Sequence, residues 1–222
     1  MNYLSIFDVI GPNMIGPSSS HTAGAVAIGS LAGKLFPEKI REVSFELFGS
    51  FASTYKGHGT DKALLGGVLG FEPDDIRIRD SFELARKEGL IFSFIPNFEA
   101  KPEHPNTVRI SFVGESGLKQ TVVGVSVGGG RIKITEIGGI KVSFTGEYST
   151  LIINQTDKCG VAAHITSCLR DAGVNIAFLR IFRKSKGEEA YTVVESDNDI
   201  PQDVVKKIEA HPLINSVILV EI

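Results

Sequence analysis

Two short segments of the chain concentrate groups suited to proton and anion chemistry. The first, GlyProSerSerSerHisThrAlaGly at 16–24, sets Ser18, Ser19, Ser20 and Thr22 around His21 and runs into a stretch of small residues. A hydroxyl at a helix start satisfies a free backbone N–H, and one hydroxyl is enough for that task. Four around an imidazole, at a helix end rich in amide donors, read as an anion-binding segment for a carboxylate or phosphate. The second, LysGlyHisGlyThrAspLys at 56–62, places His58 between Gly57 and Gly59, with Thr60 and Asp61 opening a further helix. Flanking glycines free the backbone and let a ligand approach closely. Imidazole exchanges a proton near neutral pH, so each histidine is a candidate general acid or base. A serine–histidine hydrolase is the weaker alternative. Sequence neighbours rarely form a productive dyad, and no nucleophile elbow is read at a strand-to-helix turn.

The elements that must position these groups follow from the residue pattern. Ala23–Leu35 reads as a small-residue helix stopped before Pro37, Val43–Phe48 as a strand, and Thr60–Leu69 and Ser81–Glu88 as helices. Ile91–Ile95 returns as a strand. Four β-branched runs then follow, Thr107–Val113, Gln120–Val127, Ile132–Ile137 and Ile140–Phe144, separated by glycines such as 128–130 and 138–139, as in an antiparallel meander. From Ser149 the order becomes strand Thr150–Asn154, helix Gly160–Ala172, strands Ile176–Phe182 and Ala190–Ser196, helix Pro201–Ala210 and strand Ile214–Glu221. This is the β-α-β-β-α-β order of the ferredoxin-like motif. The fold class is therefore α+β: a mixed α/β domain over 1–145 joined by a short linker to a ferredoxin-like domain over 149–222.

Composition removes several classes of function. The net charge is 23 − 26 = −3 without a strong basic cluster, which argues against nucleic acid or an anionic membrane as the main partner. No run approaches the length of a spanning helix. The amino terminus lacks a basic n-region and is interrupted by Pro12 and Gly16, so no signal peptide is read and a cytoplasmic location is expected. The two cysteines, Cys159 and Cys168, are too few to hold an iron–sulfur cluster or a zinc site built from four cysteines. They read as packing residues of one helix. His104, in a proline-rich loop, is expected to be exposed, and His164 and His211 show no metal-ligand spacing.

The paired segments PSSSHTAG and GHGTD resemble those of the iron–sulfur-dependent L-serine dehydratases, and the whole chain is similar to the β subunit of their two-subunit form. The resemblance implies conversion of L-serine to pyruvate and ammonia, a [4Fe–4S] cluster held by a partner α subunit, and no metal ligands in this chain. Under that reading His58 is the preferred base for the α-proton and His21 a second site histidine. The sequence leaves an exchange of these roles open. Ser18, Ser19, Ser20, Thr22, Thr60 and the backbone around Gly57 and Gly59 would hold the substrate.

The segments 154–160 (AsnGlnThrAspLysCysGly) and 171–176 (AspAlaGlyValAsnIle) are similar to the turns that flank the first helix of ACT domains. That resemblance implies an amino-acid effector site at Asn154, Asp157, Gly160 and Asn175, or a surface for self-association. Helix capping by Asp157 and close packing at Gly160 are the purely structural alternatives. The amino-terminal part also resembles an effector-binding domain that precedes the ACT domain in some phosphoglycerate dehydrogenases. A regulatory amino-acid-binding module is thus the second functional expectation.

Overall fold

The computed structural model describes residues 13–220. The amino-terminal segment to Pro12, where no signal peptide is read, and the last two residues lie outside the described residues. The chain divides into two compact units between Gly138 and Gly139.

In the first unit, helix α1 (Ala23–Lys34) is followed by strand β1 (Ile40–Phe48), helices α2 (Gly49–His58) and α3 (Thr60–Val68), a 3-10 turn at Ile76–Asp80 and helix α4 (Ser81–Lys87). Strands β2 (Ile91–Asn97), β3 (Thr107–Gly114), β4 (Lys119–Gly128) and β5 (Arg131–Ile137) complete it. The strands lie side by side in the order β2-β1-β3-β4-β5. Only β1 and β2 run parallel, joined by the helical crossover, and β3-β4-β5 form the first three of the four strands of the expected meander. Alternation along β1 and β3 turns Val43, Phe45, Leu47, Val108, Ile110 and Phe112 inward, all fully buried.

Helix α1 is apolar on most of its surface, with Ala25, Val26, Ile28, Leu31 and Ala32 buried, so it sits between β4 and α3 rather than on the exterior. Its small residues let α1 and α3 approach backbone to backbone. A Cβ on Gly29 would strike the Leu64 carbonyl, and one on Gly67 would strike the Val26 carbonyl.

Two features depart from the sequence expectation. Residues 49–58 form helix α2, where no helix is expected, and His58 is its last residue. Gly59, at φ +69°, is both the left-handed end of α2 and the start of α3. Of the two glycines flanking His58, only Gly59 has the unusual backbone. Gly57 is helical, with open space where a Cβ would stand.

The second unit contains β6 (Ile140–Phe144), β7 (Ser149–Thr156), α5 (Val161–Asp171), β8 (Ile176–Arg183), β9 (Glu189–Ser196), α6 (Gln202–Glu209) and β10 (Ile214–Val220). Its antiparallel sheet has the order β10-β7-β9-β8, the ferredoxin-like arrangement. One face, with Leu151, Ile153, Val194 and Val217, packs against Val161, Ile165, Leu169, Val204 and Ile208 of the helices. Glu195, 3% exposed, carries its charge into the sheet, where Arg180 Nη1 donates to its Oε2 at 2.5 Å.

Candidate active site

The site is built where the turn before α1 meets the end of α2. Residues 18–22 curl into the helix: Thr22 N–H donates to the Ser18 carbonyl and Gly24 N–H to the Ser19 carbonyl, each at 2.8 Å. Thr22 is the residue before α1, but its hydroxyl does not cap the helix. Thr22 Oγ1 is instead buried without a partner, facing Gly16. The first turn of α1 is itself buried, so this segment presents the half-buried Ser18, Ser19 and Ser20 rather than open helix amides.

His21 is buried and held at both ring nitrogens. Nδ1 lies 3.2 Å from Ser18 Oγ, and Nε2 lies 3.1 Å from Ser50 Oγ. Ser18 Oγ also accepts from the His21 backbone N–H at 3.3 Å. A neutral imidazole with its proton on Nε2 satisfies the whole set: the Ser18 hydroxyl donates to Nδ1 and Nε2–H donates to Ser50. Burial lowers the pKa of His21 below the ordinary histidine value, and the adjacent His58 lowers it further. The Ser50 contact acts in the opposite direction.

His58 stacks edge-on against His21, with ring centroids 4.7 Å apart and planes at 73°. Phe51 flanks His21 at 5.2 Å. Unlike His21, His58 has no hydrogen bond to its ring among the described residues, and its Nδ1 is buried without a partner. His58 lines an open cleft of about 350 Å³ together with Gly16, Gly57, Gly59, Lys56 and Arg79. Asp61 and Lys62 complete the cleft's charge. Burial raises the pKa of the Asp61 carboxyl, and the N–H of Lys62 partly offsets that. Three cations against one carboxylate of weakened acidity suit the carboxylate of a small substrate. Thr60, two residues beyond His58, is fully buried and its hydroxyl has no partner.

The structure thus brings His21 and His58 together across 37 residues of chain, and it adds residues that sequence reasoning missed. Ser50 belongs to the unexpected helix α2. Lys56, Lys62 and Arg79 line the cleft, and the two lysines flank the very segment that contains His58. The loop at His104 is largely exposed, as expected, with His104 itself half-buried and the backbone that follows it anchored. Pro105 O accepts from Ser50 N–H at 2.8 Å, against Gly49 at φ +53°. Asn106 N–H donates to His104 Nδ1 at 3.2 Å, and the Asn106 carbonyl accepts from Ser126 N–H at 3.0 Å. Asn106 Oδ1 and Ser126 Oγ are both buried without partners, and Ser126 is seated against Gly24 of α1. One G-x-S-x-G pattern does occur, Gly124–Gly128 around Ser126, but it lies inside β4 and not at a strand-to-helix turn. It is no nucleophile elbow.

The pKa of His21 makes stability pH-dependent in a defined sense. Its folded value is depressed, so below the ordinary value of about 6.5 the unfolded chain binds more protons than the folded one. The contribution is complete above that value and is lost as pH falls through the lowered one. Thermal melting is therefore expected to drop between about pH 7.5 and 5.5 by more in the native chain than in His21→Gln. Equal drops would show that His21 does not titrate in this sense.

In the second unit the four candidate effector residues occupy different places. Asn154 donates to Glu189 Oε1 at 2.7 Å and to the Tyr191 hydroxyl at 3.1 Å, and accepts from Asn215 at 2.9 Å. Asp157 does not cap α5. Its Oδ2 accepts from Arg183 at 2.8 Å and from Gly187 N–H at 3.1 Å, which ties the loop to the β8–β9 turn and holds the carboxyl below its usual pKa. Gly160 takes φ +95° with open space beside it, so left-handed backbone rather than close packing calls for glycine there. Asn175 is exposed at the far end of α5, roughly 16 Å along that helix from Gly160.

Cys159 is exposed and Cys168 half-buried, both in the second unit, so the expectation of two packing residues holds only in part. Among the described residues, no group of three or more His, Cys, Asp or Glu is placed to hold a metal ion. The cysteines do not fit a resident cluster. No helix among the described residues is long and apolar enough to cross a membrane.

Comparison with known proteins agrees with this anatomy. Residues 5–88 match the family model of the serine dehydratase beta chain, and residues 149–212 match that of the ACT domain. The chain is 43% identical to the "L-serine dehydratase, beta chain" of Peptoniphilus asaccharolyticus over 94% of each chain. It is 39% identical to the "Probable L-serine dehydratase, beta chain" of Bacillus subtilis over 96% of each. A more distant likeness, 26% identity over 88% of this chain and 37% of the relative, connects it to a D-3-phosphoglycerate dehydrogenase of Bacillus subtilis. By near-full-length identity and by the matched domains, the chain belongs to the family of L-serine dehydratase beta chains.

Proposed function

We propose that this chain is the β subunit of an iron–sulfur L-serine dehydratase, acting in the cytoplasm with a cluster-bearing α subunit to convert L-serine to pyruvate and ammonia. The observation that carries this reading is the contrast between the two imidazoles: His21 is tied at both nitrogens, and His58 beside it is free at the edge of a cationic cleft. His58 takes the proton from Cα of serine and the imidazolium so formed gives a proton to the hydroxyl leaving Cβ, so that water departs and the electron pair of the Cα–H bond forms the new C=C bond. The resulting enamine tautomerises and is hydrolysed to pyruvate and ammonia. His21, neutral and fixed by Ser18 and Ser50, holds the His58 ring in place. Lys56 and Arg79 hold the substrate carboxylate, with Ser18, Ser19, Ser20 and the backbone at Gly57 and Gly59 completing the binding surface. Thr22 and Thr60, expected from the sequence to bind substrate, are buried away from the cleft and are not part of it.

Promoting departure of the hydroxyl calls for a Lewis acid, and that part of the chemistry belongs to the [4Fe–4S] cluster of the α subunit. Anaerobic co-purification of the two chains tests the division. Iron and sulfide are expected to remain with the α chain after the subunits are separated. Iron retained stoichiometrically by this chain alone would contradict it.

The likeness to phosphoglycerate dehydrogenases supports a second role, in which the ACT domain binds an amino-acid effector or serves self-association. If the whole chain were only such a regulatory module, it would bind its amino acid without any partner, and a free imidazole in the cleft would have no task.

A further inference from the structure

Strand β2 ends the row of strands in the first unit: its only strand neighbour among the described residues is β1. Its outer edge therefore offers backbone N–H and C=O groups to another chain. Natural edge strands are commonly blunted by charge, but residues 91–97 (IFSFIPN) carry none, and Pro96 near the end is the only blunting device. Ile91 and Ile95 are 57% and 52% exposed, and Phe98 just beyond the strand is 72% exposed.

The first five of its seven residues read the same in both directions: Ile91, Phe92, Ser93, Phe94, Ile95. Antiparallel pairing with an identical strand about Ser93 matches each of these five positions. Ile91 faces the second copy's Ile95 on the open side of the sheet. Phe92 faces the second copy's Phe94 on the side where Phe82 and Phe45 already pack against these rings. Ser93 meets Ser93. Such cross-strand apolar and aromatic pairs are the stabilising unit of a sheet, and a two-fold axis makes any favourable pair occur twice. The same axis exchanges the strand's ends. Exposed Arg86, Lys87 and Glu88, net positive, precede β2, and exposed Glu99 follows it, so each basic entry comes beside the other copy's acidic exit.

We propose that β2 is a self-association edge, through which two copies of this chain join their sheets across a two-fold axis at Ser93. The inference is independent of the catalytic reading.

Position-specific crosslinking of the full-length chain tests it, with Cys159→Ser and Cys168→Ser removing the native thiols. Residues directly opposed in an antiparallel pair have Cα atoms about 4.5–5.5 Å apart, within disulfide reach. Under mild oxidation Ser93→Cys is expected to form an intermolecular disulfide. Ile91→Cys alone is expected to stay unlinked, because its equivalent in the second copy lies roughly 13 Å away, four residues along the strand. Mixed Ile91→Cys and Ile95→Cys proteins are expected to link to each other. Adding Ile91→Lys and Ile95→Lys to the Ser93→Cys chain should slow its disulfide formation at least tenfold without changing its circular dichroism. The proposal is overturned if Ser93→Cys stays unlinked or if Ile91→Cys links to itself as readily. It is also overturned if the α subunit abolishes the link by covering the edge.

Discussion

His58→Ala is expected to abolish turnover in the two-subunit enzyme while leaving subunit assembly and thermal stability close to native. Loss of a positioned general base costs roughly 10²–10⁴-fold in rate. The structural cost should be small, because the His58 ring forms no hydrogen bond among the described residues and stands at the edge of an open cleft. The comparison with His21→Ala sharpens the assignment. Removing His21 strands the hydroxyls of Ser18 and Ser50 and takes away the ring against which His58 rests. That variant should lose both stability and rate, whereas His58→Ala should lose rate alone. Steady-state pyruvate formation and melting curves on both variants check this. A His58→Ala enzyme with near-native kcat would remove His58 as the base.

The second large effect lies away from the cleft. Gly67→Ala should destabilise the fold and disable the site together. The new methyl would be driven into the Val26 carbonyl at the α1–α3 crossing, and backbone cannot swing aside as a flexible side chain can. Overpacking of this kind costs about 1–3 kcal/mol, more than the helix-propensity gain of roughly 0.5–1 kcal/mol that Gly→Ala brings. Relief requires α1 to slide relative to α3, and these two helices carry His21 at the start of one and His58 at the approach to the other. Gly57→Ala is the internal control. It is also helical but has open space beside it, so it should melt at or above the native temperature. Equal melting of the Gly67 and Gly57 variants would show that the helix crossing tolerates a methyl group.

Much of this architecture is legible in the residues because it is local. The carboxy-terminal β-α-β-β-α-β order follows from apolar runs punctuated by turns, even though only β8 and β9 pair with a neighbour in sequence and β7 lies between β10 and β9. Helix α2 is not legible in the same way. Its segment holds two glycines, four hydroxyl or small residues and only a short apolar stretch, and its start is satisfied from a distance by Pro105 O accepting from Ser50 and Phe51. A helix stabilised by a loop about 50 residues away in sequence leaves little local signal. The left-handed Gly59 that ends it is the one available hint.

The site divides along the same line. Both histidines stand out because hydroxyls and glycines crowd them in sequence. Ser50 and Arg79 do not, since they reach the site only through tertiary contacts. The open question of which imidazole is the base is likewise one of partners: Ser50 occupies His21 Nε2, and nothing among the described residues occupies His58.

The most direct measurement of the central claim is pyruvate formation from L-serine under anaerobic conditions by this chain alone, by the α chain alone and by the two combined. The account predicts activity only in the mixture, lost again when His58→Ala replaces the native β chain. Turnover by this chain alone, or full activity of the α chain without it, would contradict the proposal that the active site is completed by the His21–His58 face.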